Sequence, residues 1–327
     1  MLNYIGRRLL IMIPLLILIS IVSFVIITLP PGSYLETHMA ALQRSGGQAS
    51  KTELEMITKR YGLDQPGYVQ YWKWISGFPR GNFGQSFRQN KPVSMVIKSR
   101  LGWSVLISIL TILFTWILAI PIGVYSAVKQ YSIGDHLATL FGFLGASIPN
   151  FLLALFIMFI GVRFFDMSVG GLYDAKYMGE AMSWGKLLSI LGRIWIPVVV
   201  VGTGSMAGLI RIMRGQMLDE LRKAYVQTAR AKGLAENVVI FKHVMRIAVN
   251  PIISTIGWML PGIVSGDVIA GIVLGLPTIG PELFNALRAQ EMYLAGTIVM
   301  MLSVLTLIGT LISDILLAMV DPRIRYE

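Results

Sequence analysis

Apolar residues in this chain come in long unbroken runs, near 9 to 29, 104 to 128, 137 to 161, 187 to 210, 252 to 274 and 293 to 319. A helix rises about 1.5 Å per residue and a bilayer's hydrocarbon core is about 30 Å thick, so each run is long enough to span. The pattern predicts an all-α, polytopic integral membrane protein with six transmembrane helices. Pro121, Pro149, Pro197 and Pro261 fall inside these runs. Proline is tolerated in a span when neighbouring helices satisfy the freed carbonyls, so all six are expected whole. The basic start "MLNYIGRR" ahead of the first run imitates a secretory leader. The run is too long for one and "TLPPGSY" offers no A-x-A cleavage site, which predicts that 1 to 29 holds a cytoplasmic N-terminus and a retained first transmembrane helix.

The polar segments between the runs carry their own helix signals. Within 30 to 103, "SKTELEMITKRYG" has a capping box (Ser50, Glu53), apolar Leu54, Ile57 and Tyr61, and a stop at Gly62. "GYVQYWKWISG" predicts a second helix, and "KPVSMVIKSRL", opened by Pro92, a third that runs into the second span. Tyr71, Trp72 and Trp74 read as a small core or interface belt in preference to a stacking platform. In 211 to 250, helix formers over 215 to 232 stop at Gly233, and "LAENVVIFKHVMRIAV" starts a second helix with Val239, Ile240, Val244, Ile247 and Ala248 at helical spacing before Pro251. In 275 to 293, "GLPTIGPELFNALRAQEMY" predicts a re-entrant dip packed on protein. The helices over 104 to 319 form the core, and 320 to 327 a tail.

Charge orients this frame. The chain has 28 Lys+Arg against 17 Asp+Glu, a net +11, with 55% hydrophobic and only 14% charged residues. A soluble domain carries about 25% charged residues, so the cations belong to membrane faces and no nucleic-acid partner is expected. Arg7, Arg8, Lys129, the cations of 211 to 250, Arg323 and Arg325 all fall on one side of six spans. The positive-inside rule makes that side, with both termini, cytoplasmic, and 30 to 103 extracytoplasmic.

The residues that carry enzyme chemistry are missing. There is no cysteine, and His38, His136 and His243 are dispersed across the topology, so neither a catalytic site nor a metal site is expected. No phosphate-cradling G-x-x-x-x-G-K-[ST] occurs, and "GTGSMAG" (202 to 208) reads as small-residue helix packing. Asp267 and Asp314 fall within spans, where each costs about 2.5 to 3.5 kcal/mol at a helix centre. A proton relay is one reading; a cavity role for Asp267, and pairing with Arg323 or Arg325 for Asp314, is the other. Arg163 and Arg193 lie where long side chains snorkel to the interface.

The loop "YVQTARAKGL" resembles the coupling loop of the membrane permeases of ATP-binding-cassette importers, dipeptide, oligopeptide and nickel class. Gln227, Thr228 and Ala229 occupy its E-A-A positions and Gly233 its fixed glycine; Ile247 stands where an asparagine is usual. "YGLDQPGYVQYWKWISG" and "GNFGQSFRQNKPVSMVIKSRL" resemble the outer segment of the first of the two permeases such systems carry. "FGFLGASIPNFLLAL", "LGLPTIGP" and "DPRIRY" resemble further family signatures in the same order. The resemblance implies a type I importer permease fold in a prokaryotic inner membrane. Its partners would be a second homologous permease, two cytoplasmic ATPases that hold ATP and Mg, and an extracytoplasmic solute-binding protein, with no cofactor in this chain. Tyr225, Gln227, Thr228, Ala229, Arg230, Ala231, Lys232, Gly233 and Leu234 would engage the ATPase, Ala229 and Gly233 by allowing close approach. Pro277, Thr278, Ile279, Gly280 and Pro281 would dock the binding protein or gate the path, which would carry a peptide-like or oligosaccharide-like solute. The competing reading is a stand-alone proton-coupled transporter using Asp267 or Asp314, which paired broken helices and inverted repeats would support.

Overall fold

The computed structural model describes residues 2 to 30, 58 to 59, 62, 64 to 165, 167, 170 to 265 and 268 to 320. Most of the predicted 50 to 62 helix, Asp267, His38, Arg323 and Arg325 lie outside the described residues. Helix dominates: α1 (Leu2–Thr28), α2 (Gly67–Ile75), α3 (Val93–Val128), α4 (Ile133–Ser147), α5 (Asn150–Phe165), α6 (Trp184–Leu221), α7 (Ala224–Ala231), α8 (236 to 248), α9 (Asn250–Ser265), α10 (Val268–Val273), α11 (Ile279–Arg288) and α12 (Met292–Val320). A two-rung hairpin, β1 (Gln85–Ser86) against β2 (Lys91–Pro92), precedes α3. Five stretches among the described residues are long and apolar enough to cross a membrane: 6 to 28, 93 to 128, 184 to 221, 236 to 255 and 292 to 317. The bent pair α4 and α5 makes a sixth if it counts as one span.

The longest helices, α3 and α6, pack along each other, and α12 packs on α9 and α1. Missing side chains let α3 and α6 approach. A β-carbon at Gly123 would lie 2.6 Å from Met213 Cβ, and one at Gly202 would lie 2.7 Å from Phe114 Cδ1. Lipid is as apolar as leucine, so such close van der Waals packing holds spans together where the hydrophobic effect cannot. Buried side chains concentrate toward the two ends. At the end bearing 211 to 250, Met213, Met217, Val226, Val239, Val244 and Ile252 form one cluster. At the far end, Phe24, Trp74, Val93, Ile279, Leu294 and Ile298 form another.

The far-end cluster confirms the core reading for Tyr71 and Trp74. Edge-to-face contacts link Phe24, Tyr71, Trp74, Phe78 and Phe83 at centroid separations of 5.0 to 6.2 Å. Trp74 Nε1 donates to Thr297 Oγ1 at 3.3 Å, and the hydroxyls of Tyr71 and Ser20 lie 2.8 Å apart. These contacts tie α2 to α1 and α12. Trp72 points away and is exposed.

The third span departs from expectation. It breaks at Pro149 into α4 and α5, bent by 97°. Proline has no N–H for the next rung and drives the preceding residue out of the helical region, and Ile148 is extended (φ −87, ψ 118). Pro14, Pro121 and Pro197, in contrast, lie within continuous helices. Residues 147 to 149 at the break are exposed. In the fifth run helix is described over Asn250–Ser265 and Val268–Val273, and the helix leading into it starts at Glu236. Arg193 does not snorkel. It is buried and pairs with Asp174 and the Gly170 carbonyl.

Candidate coupling site

The segment after α6 folds back on its own helices. The expected helix over 215 to 232 is interrupted: α6 ends at Leu221, Lys223 is extended (φ −71, ψ 149), and α7 starts afresh. No glycine or proline lies at the break. Tertiary burial decides it, because the turn lets Val226 and Ala229 pack into the cluster of Met217, Val239, Ile240 and Val244. Tyr225 Oη donates to Glu220 Oε2 at 2.8 Å, tying the new helix to the end of α6.

Gly233 ends α7 in the left-handed region at φ +75. The Gly233 N–H donates to the Arg230 carbonyl at 2.9 Å and the Leu234 N–H to the Ala229 carbonyl at 3.3 Å. These are the paired bonds of a Schellman cap, which satisfy the carbonyls left over at a helix end. Arg230 forks onto Glu236 across the cap, Nη2 to Oε1 at 2.5 Å and Nε to Oε2 at 3.1 Å. Arg230, expected among the residues that engage the ATPase, bridges α7 to α8 through its guanidinium.

In α8, residues Val239–Val244 form a π-helical turn. Its i to i+5 bonding brings residues five apart onto one side. Val239 and Val244 are both fully buried, while Phe241 is left 60% exposed. The outward face of the loop is then Gln227, Thr228, Arg230, Ala231, Lys232, Gly233 and Leu234, continued by Val238 and Phe241. Ala229 is buried inside the chain and does not sit on that face. Phe241 was missed by the sequence reading because regular helical spacing does not predict its direction.

The description of one family model, "Binding-protein-dependent transport system inner membrane component", matches residues 119 to 326; its N-terminal counterpart matches 1 to 109. The chain belongs to this family. The permease is similar to the oligopeptide transport system permease protein AppB of Bacillus subtilis, at 36% identity over 325 residues and 99% of both chains. OppB, the oligopeptide transport system permease protein of Haemophilus influenzae, is 30% identical over 327 residues and 100% of both. The glutathione transport system permease protein GsiC of Shigella flexneri is 28% identical over 327 residues, again across 100% of both. The permease is therefore a multi-pass inner-membrane component of a binding-protein-dependent importer, a non-catalytic subunit.

At the far end of the permease, two buried acids hold the hairpin. Glu291 accepts from the Ser86 hydroxyl at 2.6 Å and from the Phe87 and Arg88 N–H groups, both at 3.1 Å. Glu282 accepts from Arg88 Nη2 at 2.8 Å and Gln89 Nε2 at 2.6 Å, and pairs with Arg100 Nε at 2.8 Å. Burial pushes the Glu291 carboxyl above the usual glutamate range, partly offset by the Ser86 and Arg88 donors. The hairpin donors lie 193 to 205 residues from these acids, so no local pattern announced them.

Residues 277 to 281 sit inside this assembly. Thr278, Ile279 and Gly280 are buried, and the Ile279 N–H donates to Ser104 Oγ at 2.8 Å. What α11 turns outward is Phe284, Leu287 and Arg288. Asp314 pairs with Arg8 at 2.5 Å, joining the first and last helices; the tail arginines expected beside it lie outside the described residues.

Proposed function

We propose that the permease forms half of the pathway of a type I ATP-binding-cassette importer, as the first of two homologous permeases. Two ATPase subunits, which hold the ATP and Mg, engage the exposed crest of 227 to 241, and a solute-binding protein delivers cargo at the far end. The basic loop and both termini are cytoplasmic, and residues 30 to 103 are extracytoplasmic. Cargo is a short peptide, the class to which the names of two of the relatives described above, the oligopeptide permeases AppB and OppB, point.

The observation that carries this reading is the way the crest is anchored. Val226 and Ala229 pack on Met217 of α6 and on Val239, Ile240 and Val244 of α8, which continues into α9. A pull on the crest must therefore move the ends of two long helices. The loop can bias a two-state pathway only if the ATPases hold it differently in the two states. Rigid anchoring suits that role, and an exposed Phe241 suits insertion into a partner's groove.

The test is reconstitution of this chain with its second permease, ATPases and binding protein. Uptake should require all four components and ATP, and the loaded binding protein should raise ATP hydrolysis. Uptake by this chain alone under a proton gradient would overturn the reading. A binding protein that selects oligosaccharides would overturn the peptide assignment alone.

A further inference from the structure

The break between α4 and α5 lies at membrane depth. α4 has 15 residues, about 22 Å of helix from the loop-bearing end, where Asp135 pairs with Arg214 of α6. A β-carbon at Gly145 would lie 2.9 Å from Thr203 Cγ2, and one at Gly204 would lie 2.6 Å from Asn150 Oδ1. The break thus sits level with 203 to 204 of α6. One step along α6, Gly202 faces Phe114 and Thr115, midway along the second apolar run.

Irregular backbone inside the hydrocarbon region must be covered by protein or face water, because lipid offers it no hydrogen bonds. Nothing in this chain covers the break: Ser147, Ile148 and Pro149 are exposed. Pro149 has no N–H to close the next rung onto the Gly145 carbonyl. The Asn150 side-chain amide, half-buried beside α6, has no hydrogen-bond partner among the described residues. An unpaired amide at this depth is costly against lipid and satisfied by water or a polar solute.

Resting on the importer reading above, we propose that residues 147 to 150 line the water-filled solute pathway, and that the Asn150 amide is a polar contact for an amide-bearing solute in transit. A carboxamide both donates and accepts, which matches a peptide bond. The glycine at 204 leaves room for Asn150 to turn between α6 and the lumen.

The absence of native cysteine makes the test direct. Ser147→Cys and Ile148→Cys are placed singly in the complete reconstituted transporter, with Phe141→Cys, an exposed position two turns back along α4, as the comparison. A charged, membrane-impermeant methanethiosulfonate reacts only with a hydrated thiolate, so the two break positions should react at least about tenfold faster than Phe141→Cys. Asn150→Ala should raise the peptide concentration for half-maximal uptake while binding-protein-stimulated ATP hydrolysis persists, and Asn150→Gln should recover part of the loss. Rates equal to that of Phe141→Cys would overturn the inference and place the break at lipid or a dry interface. If the transporter with native residues shows no binding-protein-stimulated uptake, the importer reading falls and this inference with it.

Discussion

Gly233 shows how much one backbone angle carries. Its φ of +75 is strained for any residue with a β-carbon, yet a β-carbon there would meet nothing within 4 Å. Substitution therefore tests conformation without steric clash. Gly233→Val should cost about 1 to 2 kcal/mol at the cap and lower binding-protein-stimulated ATP hydrolysis while membrane insertion persists. Gly233→Asn, whose side chain tolerates the left-handed region, should retain most of it. Equal activity in both variants would separate the cap from coupling. The glycine was legible in the sequence because a stop between two helical patterns has a local signature. The direction of Ala229 was not: small residues suit both a crest and a core, and only the packing of Val226 beside it decides. Phe241 is testable at the same scale. Being exposed, it should tolerate alanine without loss of fold, and co-purification of the ATPases should weaken about tenfold or more if it anchors them.

Among the elements, the helices were readable wherever hydropathy alone determines them, and α3 begins where Pro92 predicted. The break at Pro149 was not readable from the proline alone, because Pro14, Pro121 and Pro197 stand in apolar runs too and stay inside continuous helices. The hairpin at 85 to 92 was hidden for another reason: its stability comes from acids some two hundred residues away. Glu291→Ala would orphan the Ser86 hydroxyl and two N–H groups, at about 1 to 3 kcal/mol for each buried donor. Hydrogen exchange at 86 to 89 should quicken accordingly. Proton linkage adds a sign. Because burial raises the Glu291 carboxyl, its folded form binds a proton more tightly than its unfolded form. The contribution to hairpin docking is full below the ordinary glutamate value and declines as pH rises through the raised one. Exchange of these amides, corrected for intrinsic chemistry, should accelerate across that window, and Glu291→Gln should flatten the response. The Arg8 and Asp314 pair is tested by charge exchange: Arg8→Asp and Asp314→Arg should each lower yield, and the double variant should recover part of it.

Across the whole molecule, charge separates into the end bearing the basic loop and a far end, and the far end has its own logic. Its two acids in α11 and the following turn, Glu282 and Glu291, are buried and engaged by Arg88 and Arg100. What remains exposed there is mostly positive: Lys73, Arg80, Lys91, Lys98 and Arg288, with Asp64 the exposed acid in the described part of the 58 to 103 segment. The positive-inside rule acts on short loops near the spans, so it does not forbid cations on a long outer segment, and it does not explain them either. Complementary charge across a docking surface chiefly speeds encounter and fixes register. A binding protein that docks here should therefore present acids around a small apolar patch that receives Phe284 and Leu287. Raising salt from about 0.05 to about 0.5 M shortens the screening length from roughly 14 Å to roughly 4 Å. The binding-protein concentration for half-maximal ATPase stimulation should rise about tenfold over that range, while basal hydrolysis changes little. The combined variant Lys91→Glu, Lys98→Glu, Arg288→Glu should reproduce the rise at low salt and lose most of its salt response. Arg88 and Arg100 are left out because they hold the hairpin. Running the titration in vesicles of neutral lipid separates the protein surface from headgroup binding, and a salt response confined to anionic vesicles would assign these cations to the bilayer instead.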